Sequence, residues 1–152
     1  GVVEALSRLF VAVPLTDEAR HALAARVADA APGGLPGRVV APRNWHVTLR
    51  FLGDVGPVAA DRLVAALDDA DLGARFDVVW EAAQAAGFPP EDRPFRLHLT
   101  LSRIRPDRDV RALLADAPPA GVTMPVERVV LYRSHLGRGG ARYEEIEECP
   151  LG

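Results

Sequence analysis

A chain of 152 residues is long enough for one domain with a real core, or for two small lobes that share one. Apolar residues at 49% and charged residues at 26% are ordinary for a soluble globular protein, and no apolar run approaches the roughly 18 residues of a membrane span. A net charge of −3 argues against broad, non-specific binding to long nucleic acid, which needs many phosphate contacts.

In chain order, RLFVAVPL (8–15) reads as a short buried strand ended by Pro14. TDEARHALAARVADAA (16–31) has a Thr/Asp start and apolar residues spaced for an amphipathic helix, with His21 on its solvated side. PGGLPGR (32–38) is a loop, and VVAPRNW leads into a strand, HVTLRFLG (46–53), that stops at Gly53. A helix follows from Pro57 to Asp69, with proline at a favourable first-turn position. RFDVVW (75–80) reads as a strand and EAAQAAGF (81–88) as a short helix closed by Gly87. PPEDRP is a loop before a second strand, HLTLSRIR (98–105), and DRDVRALLAD (107–116) is helical. MPVERVVLYRSHL contains a strand, GRGG (137–140) is a turn, and ARYEEIEEC closes a hairpin. Strands and helices alternate, but the connections are short or hairpin-like, which favours α+β with mainly antiparallel pairing. No composition shift marks an independent second domain, so residues 1–152 are expected to form a single domain.

The opening GVVEALSRLFVAVPL lacks the basic stretch and small-residue cleavage site of a secretory signal. A single cysteine, Cys149, excludes an intramolecular disulfide framework and suits a reducing, cytoplasmic setting. Nothing around it resembles an activating site. All 18 basic residues are arginine. GC-rich coding accounts for that usage over the chain as a whole, yet the guanidinium fork also matches phosphate oxygens. Arg93, Arg96, Arg103, Arg105, Arg108 and Arg111 cluster around the second HxTL strand, which keeps a small phosphorylated ligand in play there.

The repeated His-x-Thr-Leu is the most informative feature. His46 and Thr48 recur as His98 and Thr100 in a chain with only four His and four Thr. Alternation along a strand puts Val47, Leu49 and Phe51 toward the core and His46, Thr48 and Arg50 on the other face. In the second strand Leu97, Leu99 and Leu101 are core candidates, with Arg96, His98, Thr100 and Ser102 opposite. A lone His-x-Thr is ordinarily a surface pair; two copies at the same offset are not expected by chance, and a duplicated structural unit has no need to retain histidine. Zinc requires three or four ligands, and no Asp, Glu or Cys accompanies either histidine at a matching position. There is no G-x-S-x-G nucleophile motif, and PGGLPGR lacks the spacing and lysine of a P-loop. Two imidazoles, one neutral and one protonated, are equipment for metal-free general acid–base catalysis, and threonine hydroxyls beside them can donate to a phosphoryl oxygen. No cofactor and no metal are expected.

On these motifs the chain resembles the 2H phosphoesterase superfamily, and among its branches the RNA 2′,3′-cyclic phosphodiesterases, also called 2′-5′ RNA ligase or LigT-like. The resemblance extends over RLFVAVPL, PRNWHVTLRFLG, GFPPEDRPFRLHLTLSRIR and VERVVLYRSHLGRGGARYEEI. It implies a bilobed α+β fold with pseudo-twofold symmetry, one motif per lobe, around a central cleft. It implies His46 as proton donor, His98 as proton acceptor, and Thr48 and Thr100 as phosphate-holding groups. Arg103 matches a phosphate-contacting arginine, although strand alternation puts it on the face of Leu101 and a bend would be needed to re-aim it. The expected partners are RNA ends or nucleotides bearing a 2′,3′-cyclic phosphate, with no membrane, and the chain is expected to act as a monomer. Reverse 2′-5′ joining follows from microscopic reversibility. Two other readings stay open: a phosphodiesterase for another small nucleotide, such as 2′-5′ oligoadenylate or an ADP-ribose cyclic phosphate, and a non-catalytic module that binds RNA ends. For base stacking the aromatic candidates are Phe10, Phe51, Phe95 and Tyr132, with Phe10 and Phe51 expected in the core. His135 is expected to be a surface turn residue. One departure stands out: family members usually carry a further hairpin and a tryptophan-containing strand where RFDVVW here runs almost directly into EAAQAAGF, between Trp80 and Glu81.

Overall fold

The structure is a computed structural model that describes residues 1–69, 82–88, 99, 102–103 and 124–150. The expected strand 75–80 and helix 107–116 lie outside the described residues, as do His98, Thr100 and the junction between Trp80 and Glu81. The fold is α+β. The chain divides into two compact units, each built from separated stretches. One contains Gly1–Pro14, Val47–His98 and Val126–Gly152; the other contains Leu15–His46 and Leu99–Pro125. The chain passes from one unit to the other between His46 and Val47, and again between His98 and Leu99, so both HxT motifs straddle a crossing.

The first unit is organised by a four-stranded sheet. Its strands are β1 (Ser7–Pro14), β3 (His46–Val55), β5 (Arg128–Gly137) and β6 (Gly140–Pro150), in the order β3-β1-β5-β6. β1 pairs antiparallel with β5, placing Phe10 opposite Tyr132 and Val11 opposite Leu131. Every residue from Leu9 to Val13 is buried, so this central strand is covered on both faces, as an unbroken apolar run requires. On one face Phe10, Ala12, Val130 and Tyr132 form a core cluster against which Tyr143 packs. The Phe10 ring stacks on Tyr132 with centroids 5.2 Å apart and meets the edge of Tyr143 at 5.2 Å. Helix α2 (Pro57–Asp69) contributes buried Ala60, Leu63 and Leu67, an i, i+3, i+7 stripe, and contacts β6. Its range is the one the sequence predicts.

Two glycines act where the backbone needs a positive φ. Gly53 has φ +73, and β3 continues through it to Val55 rather than ending there. Glycine carries no Cβ penalty in that region, so it bends the strand without terminating it. Gly87 has φ +98 and closes the helical turn at residues 82–85. The Gly87 amide donates to Gln84 and the Phe88 amide to Ala83, both at 3.0 Å, the paired bonds of a Schellman ending. In the β5–β6 hairpin, Gly137 pairs with Gly140 around a two-residue turn, Arg138–Gly139.

The second unit has its own small core. Helix α1 (Asp17–Ala30) is capped by Thr16, whose hydroxyl accepts from the Ala19 amide at 3.1 Å, with Asp17 and Glu18 in the first turn suiting the helix dipole. Leu15, Ala19 and Trp45 are buried together, and Leu23, Ala24, Val27, Val40, Leu99 and Met124 pack on them. His21 is on the exposed side of the helix, as expected. A two-residue strand β2 (Arg38–Val39) pairs antiparallel with β4 (Ser102–Arg103).

Candidate active site

The first HxT motif begins where a short 3₁₀ helix, Pro42–Asn44, delivers the chain into β3. Proline at its start fixes φ and gives up a donor that the turn does not need. Trp45 then locks the position: its ring is 4% exposed, and its indole N–H donates to the Val40 carbonyl at 3.1 Å. His46 follows directly, as the first residue of β3. Its Nδ1 lies 2.7 Å from the Asn44 carbonyl oxygen. A carbonyl can only accept, so Nδ1 carries the hydrogen, and Nε2 is the nitrogen that donates when the ring is charged and accepts when it is neutral. The stretch from Pro42 to His46 thus orients an imidazole with a backbone bond that holds at either charge state.

Thr48, two residues on, is 7% exposed; Leu49 is 2% and Arg50 5%. Three consecutive buried residues show that the strand is covered here on the face of Thr48 and Arg50 as well as on that of Leu49. The expectation that Phe51 is core is corrected, since it is 49% exposed. β3 lies at one end of the described sheet, and Phe51 keeps only partial cover there while packing on Phe10 at 5.9 Å between centroids.

For the second motif, Leu99 is half-buried against the Trp45 cluster, while His98 and Thr100 lie outside the described residues. Arg103 is placed only by its backbone, in β4, with Arg38 as its register partner. The structure therefore gives the surroundings of His46 and Thr48 alone.

Two other side chains with reactive chemistry lie away from the motif. His135 is within β5 rather than in the turn, and its Nε2 is 2.7 Å from the Glu144 carboxylate. That hydrogen bond is the main reason the Glu144 carboxyl sits below its ordinary range, with Arg133 and Arg142 adding to the effect. Cys149 is buried at 5%, and burial, with the Asp68 carboxylate beside it, pushes its thiol up to about 11. An inert thiol agrees with the sequence reading.

Comparison with known proteins brings both motifs under one description. The profile of the family described as LigT like Phosphoesterase matches twice, over residues 13–81 and 72–143, so each match contains one HxT motif. An RNA 2′,3′-cyclic phosphodiesterase of Geobacillus stearothermophilus is 31% identical over 188 residues, an alignment that takes in 95% of this chain and 57% of that protein. The chain therefore spans just over half the length of that relative. The protein of the same name from Escherichia coli (strain K12) is 30% identical over 176 residues, covering 95% of this chain and 96% of its own. Both alignments are longer than the 152-residue chain, so this chain is the shorter partner within the matched region, in keeping with the abrupt passage from RFDVVW to EAAQAAGF. Among solved structures, a Thermus thermophilus protein superposes with a TM-score of 0.73 at 24% identity, over 95% of this chain and 97% of its own. Escherichia coli LigT bound to 3′-AMP superposes with a TM-score of 0.70 at 23% identity, over 97% of this chain and 99% of its own.

Proposed function

The chain belongs to the LigT-like phosphoesterase family, and from that premise we propose that it hydrolyses a 2′,3′-cyclic phosphate at an RNA or nucleotide end. The observation that carries this reading is the double family match, each half holding one His-x-Thr. The names of the relatives and the 3′-AMP complex of LigT support an RNA or nucleotide ligand.

In the proposed reaction His98 takes a proton from water, and the water oxygen attacks phosphorus in line. The bond from phosphorus to the ribose 3′-oxygen breaks, and His46, charged at the start, gives its Nε2 proton to that oxygen. The product is a 2′-phosphate with a free 3′-hydroxyl. His46 ends neutral and His98 ends charged, so one proton returned through solvent resets the pair. The Asn44 carbonyl accepts from Nδ1 both before and after the Nε2 proton has left, so it keeps His46 oriented through the transfer. Thr48, Thr100 and Arg103 are assigned to the non-bridging oxygens, where charge builds in the transition state. With the 5′-hydroxyl of a second RNA in place of water, the same groups would make a 2′-5′ linkage. We assign the reaction to a monomer in the cytoplasm, requiring neither metal nor cofactor.

Phosphorus NMR of the products from a 2′,3′-cyclic dinucleotide tests the assignment, with a 2′-phosphate expected. A 3′-phosphate would mean that the roles of His46 and His98 are reversed. Turnover should survive exhaustive chelation. Activity lost to a chelator and restored by zinc or manganese would overturn the acid–base mechanism.

A further inference from the structure

Charge is spread unevenly along the chain. Its 21 acidic residues outnumber its 18 arginines, yet two stretches hold three arginines each and no acid: RVVAPRNWHVTLRFLG (38–53) and FRLHLTLSRIR (95–105). These are the stretches that carry the two HxT motifs. The fold pairs the start of the first with the end of the second. In the antiparallel ladder of β2 and β4, Arg38 stands directly opposite Arg103. Directly opposed Cα atoms of such a ladder are about 4.5–5.5 Å apart, and the two positions lie on one face. Like charges so placed are destabilising. An anion received between them reverses the sign of that interaction, and the guanidinium fork matches a phosphate in particular.

Short links within one compact unit, Leu15–His46 with Leu99–Pro125, tie this ladder to the motifs. Arg103 follows Thr100 by three residues. Arg38 lies two residues before Val40, whose carbonyl accepts from the indole N–H of Trp45 at 3.1 Å, and Trp45 immediately precedes His46. Leu99, the residue between His98 and Thr100, packs with Val40 on the Trp45 cluster. Arg38 is exposed, and its neighbour Val39 is 52% exposed, so both faces of β2 meet solvent at this end. A side chain as long as that of Arg38 is therefore not confined to one side of the ladder.

We propose that Arg38 is a further substrate-binding residue, which seats the reacting phosphate together with Arg103. The proposal rests on the reading of the chain as a phosphodiesterase whose Arg103 holds that phosphate. Arg38 stands eight residues before His46 and outside both HxT motifs, so motif spacing does not single it out. The β2–β4 register does, by setting it against the one arginine already assigned to the phosphate.

The test compares Arg38→Gln and Arg38→Lys with Arg138→Gln, which removes the same charge from the exposed turn of the β5–β6 hairpin. Binding of inorganic phosphate and of 2′-AMP is measured by calorimetry at about 0.15 M salt, where exposed charges more than about 8 Å apart are largely screened. Arg38→Gln should weaken both ligands roughly tenfold or more, as the loss of a hydrogen bond to a charged group does. Arg38→Lys should fall between it and the wild type, because the charge remains and the fork is lost. Arg138→Gln should bind as the wild type does, and kcat/KM on 2′,3′-cyclic AMP should follow the same order. Wild-type affinity in Arg38→Gln, an equal loss in Arg138→Gln, or a loss accompanied by a matching fall in Tm would overturn the proposal. So would a wild type that binds neither ligand. If the wild type bound phosphate but turned over no cyclic nucleotide, the activity reading would fail by itself, and the binding series would still decide the role of Arg38.

Discussion

Two histidines of this chain are held by different kinds of partner, one by a backbone carbonyl and one by a carboxylate. His46 is bonded through Nδ1 to a neutral backbone carbonyl, two residues away and fixed by the buried Trp45. His135 is bonded through Nε2 to a carboxylate on the neighbouring strand, where both side chains meet water. A carbonyl orients the ring through Nδ1 without committing it to a charge state. The Glu144 carboxylate instead takes up Nε2 of His135. The difference separates a candidate catalyst from a surface ion pair, and sequence spacing alone cannot make that distinction for a single histidine.

The comparison is sharpest in turnover. His46→Ala should reduce kcat on 2′,3′-cyclic AMP by on the order of 10² or more, the usual share of one general acid or base. His135→Ala should leave kcat on that small substrate essentially unchanged. Equal losses in the two variants would erase the distinction drawn from their partners.

A smaller effect is expected from Trp45→Phe, which keeps a buried ring but removes the indole N–H that meets the Val40 carbonyl. Loss of that bond should cost about 1–3 kcal/mol in denaturant unfolding. It should also lower kcat more than it raises KM, because it loosens the turn that aims His46. A variant of normal stability and normal kcat would show that the indole bond positions nothing.

The smallest effect concerns the exposed pair. The fold holds Glu144 below its ordinary carboxylate range, so the pair's stabilisation is present above that range and is lost as pH falls through the lowered value. The difference in Tm between wild type and Glu144→Gln should therefore be small near neutrality and vanish in acid. A difference that persisted undiminished to strongly acidic pH would rule out the His135 bond as its source.

Much of this was legible in the sequence, for identifiable reasons. α2 was readable because Pro57 marks its start and the Ala60, Leu63, Leu67 spacing repeats at the helical period. The hairpin was readable because GRGG supplies a turn between two strand-like runs. The HxT motifs were readable because a rare residue pair recurs at a fixed offset. Other features were not. Alternation says which residues of β3 share a face, but not what covers each face, so the burial of Thr48 and Arg50 and the exposure of Phe51 escaped it. Gly53 was read as a stop because glycine ends strands more often than it bends them, and only its φ of +73 shows which happened. The Asn44 carbonyl that orients His46 has no sequence signature at all. Every residue supplies the same oxygen, and only the path of the chain decides where it points.

The central claim is that His46 and His98 exchange protons with the reacting phosphodiester, one charged while the other is neutral. Its most direct test is the pH dependence of kcat for wild type, His46→Ala and His98→Ala on a 2′,3′-cyclic nucleotide. Unperturbed imidazole titrates near pH 6.5, so the wild type should show a bell centred roughly between pH 6 and 8, with limbs that belong to the coupled pair. His98→Ala should lose the acidic limb, because no base remains to be protonated out of action, and His46→Ala should lose the basic limb. An unchanged bell in either variant would show that the histidine removed is not a member of the proton-transfer pair.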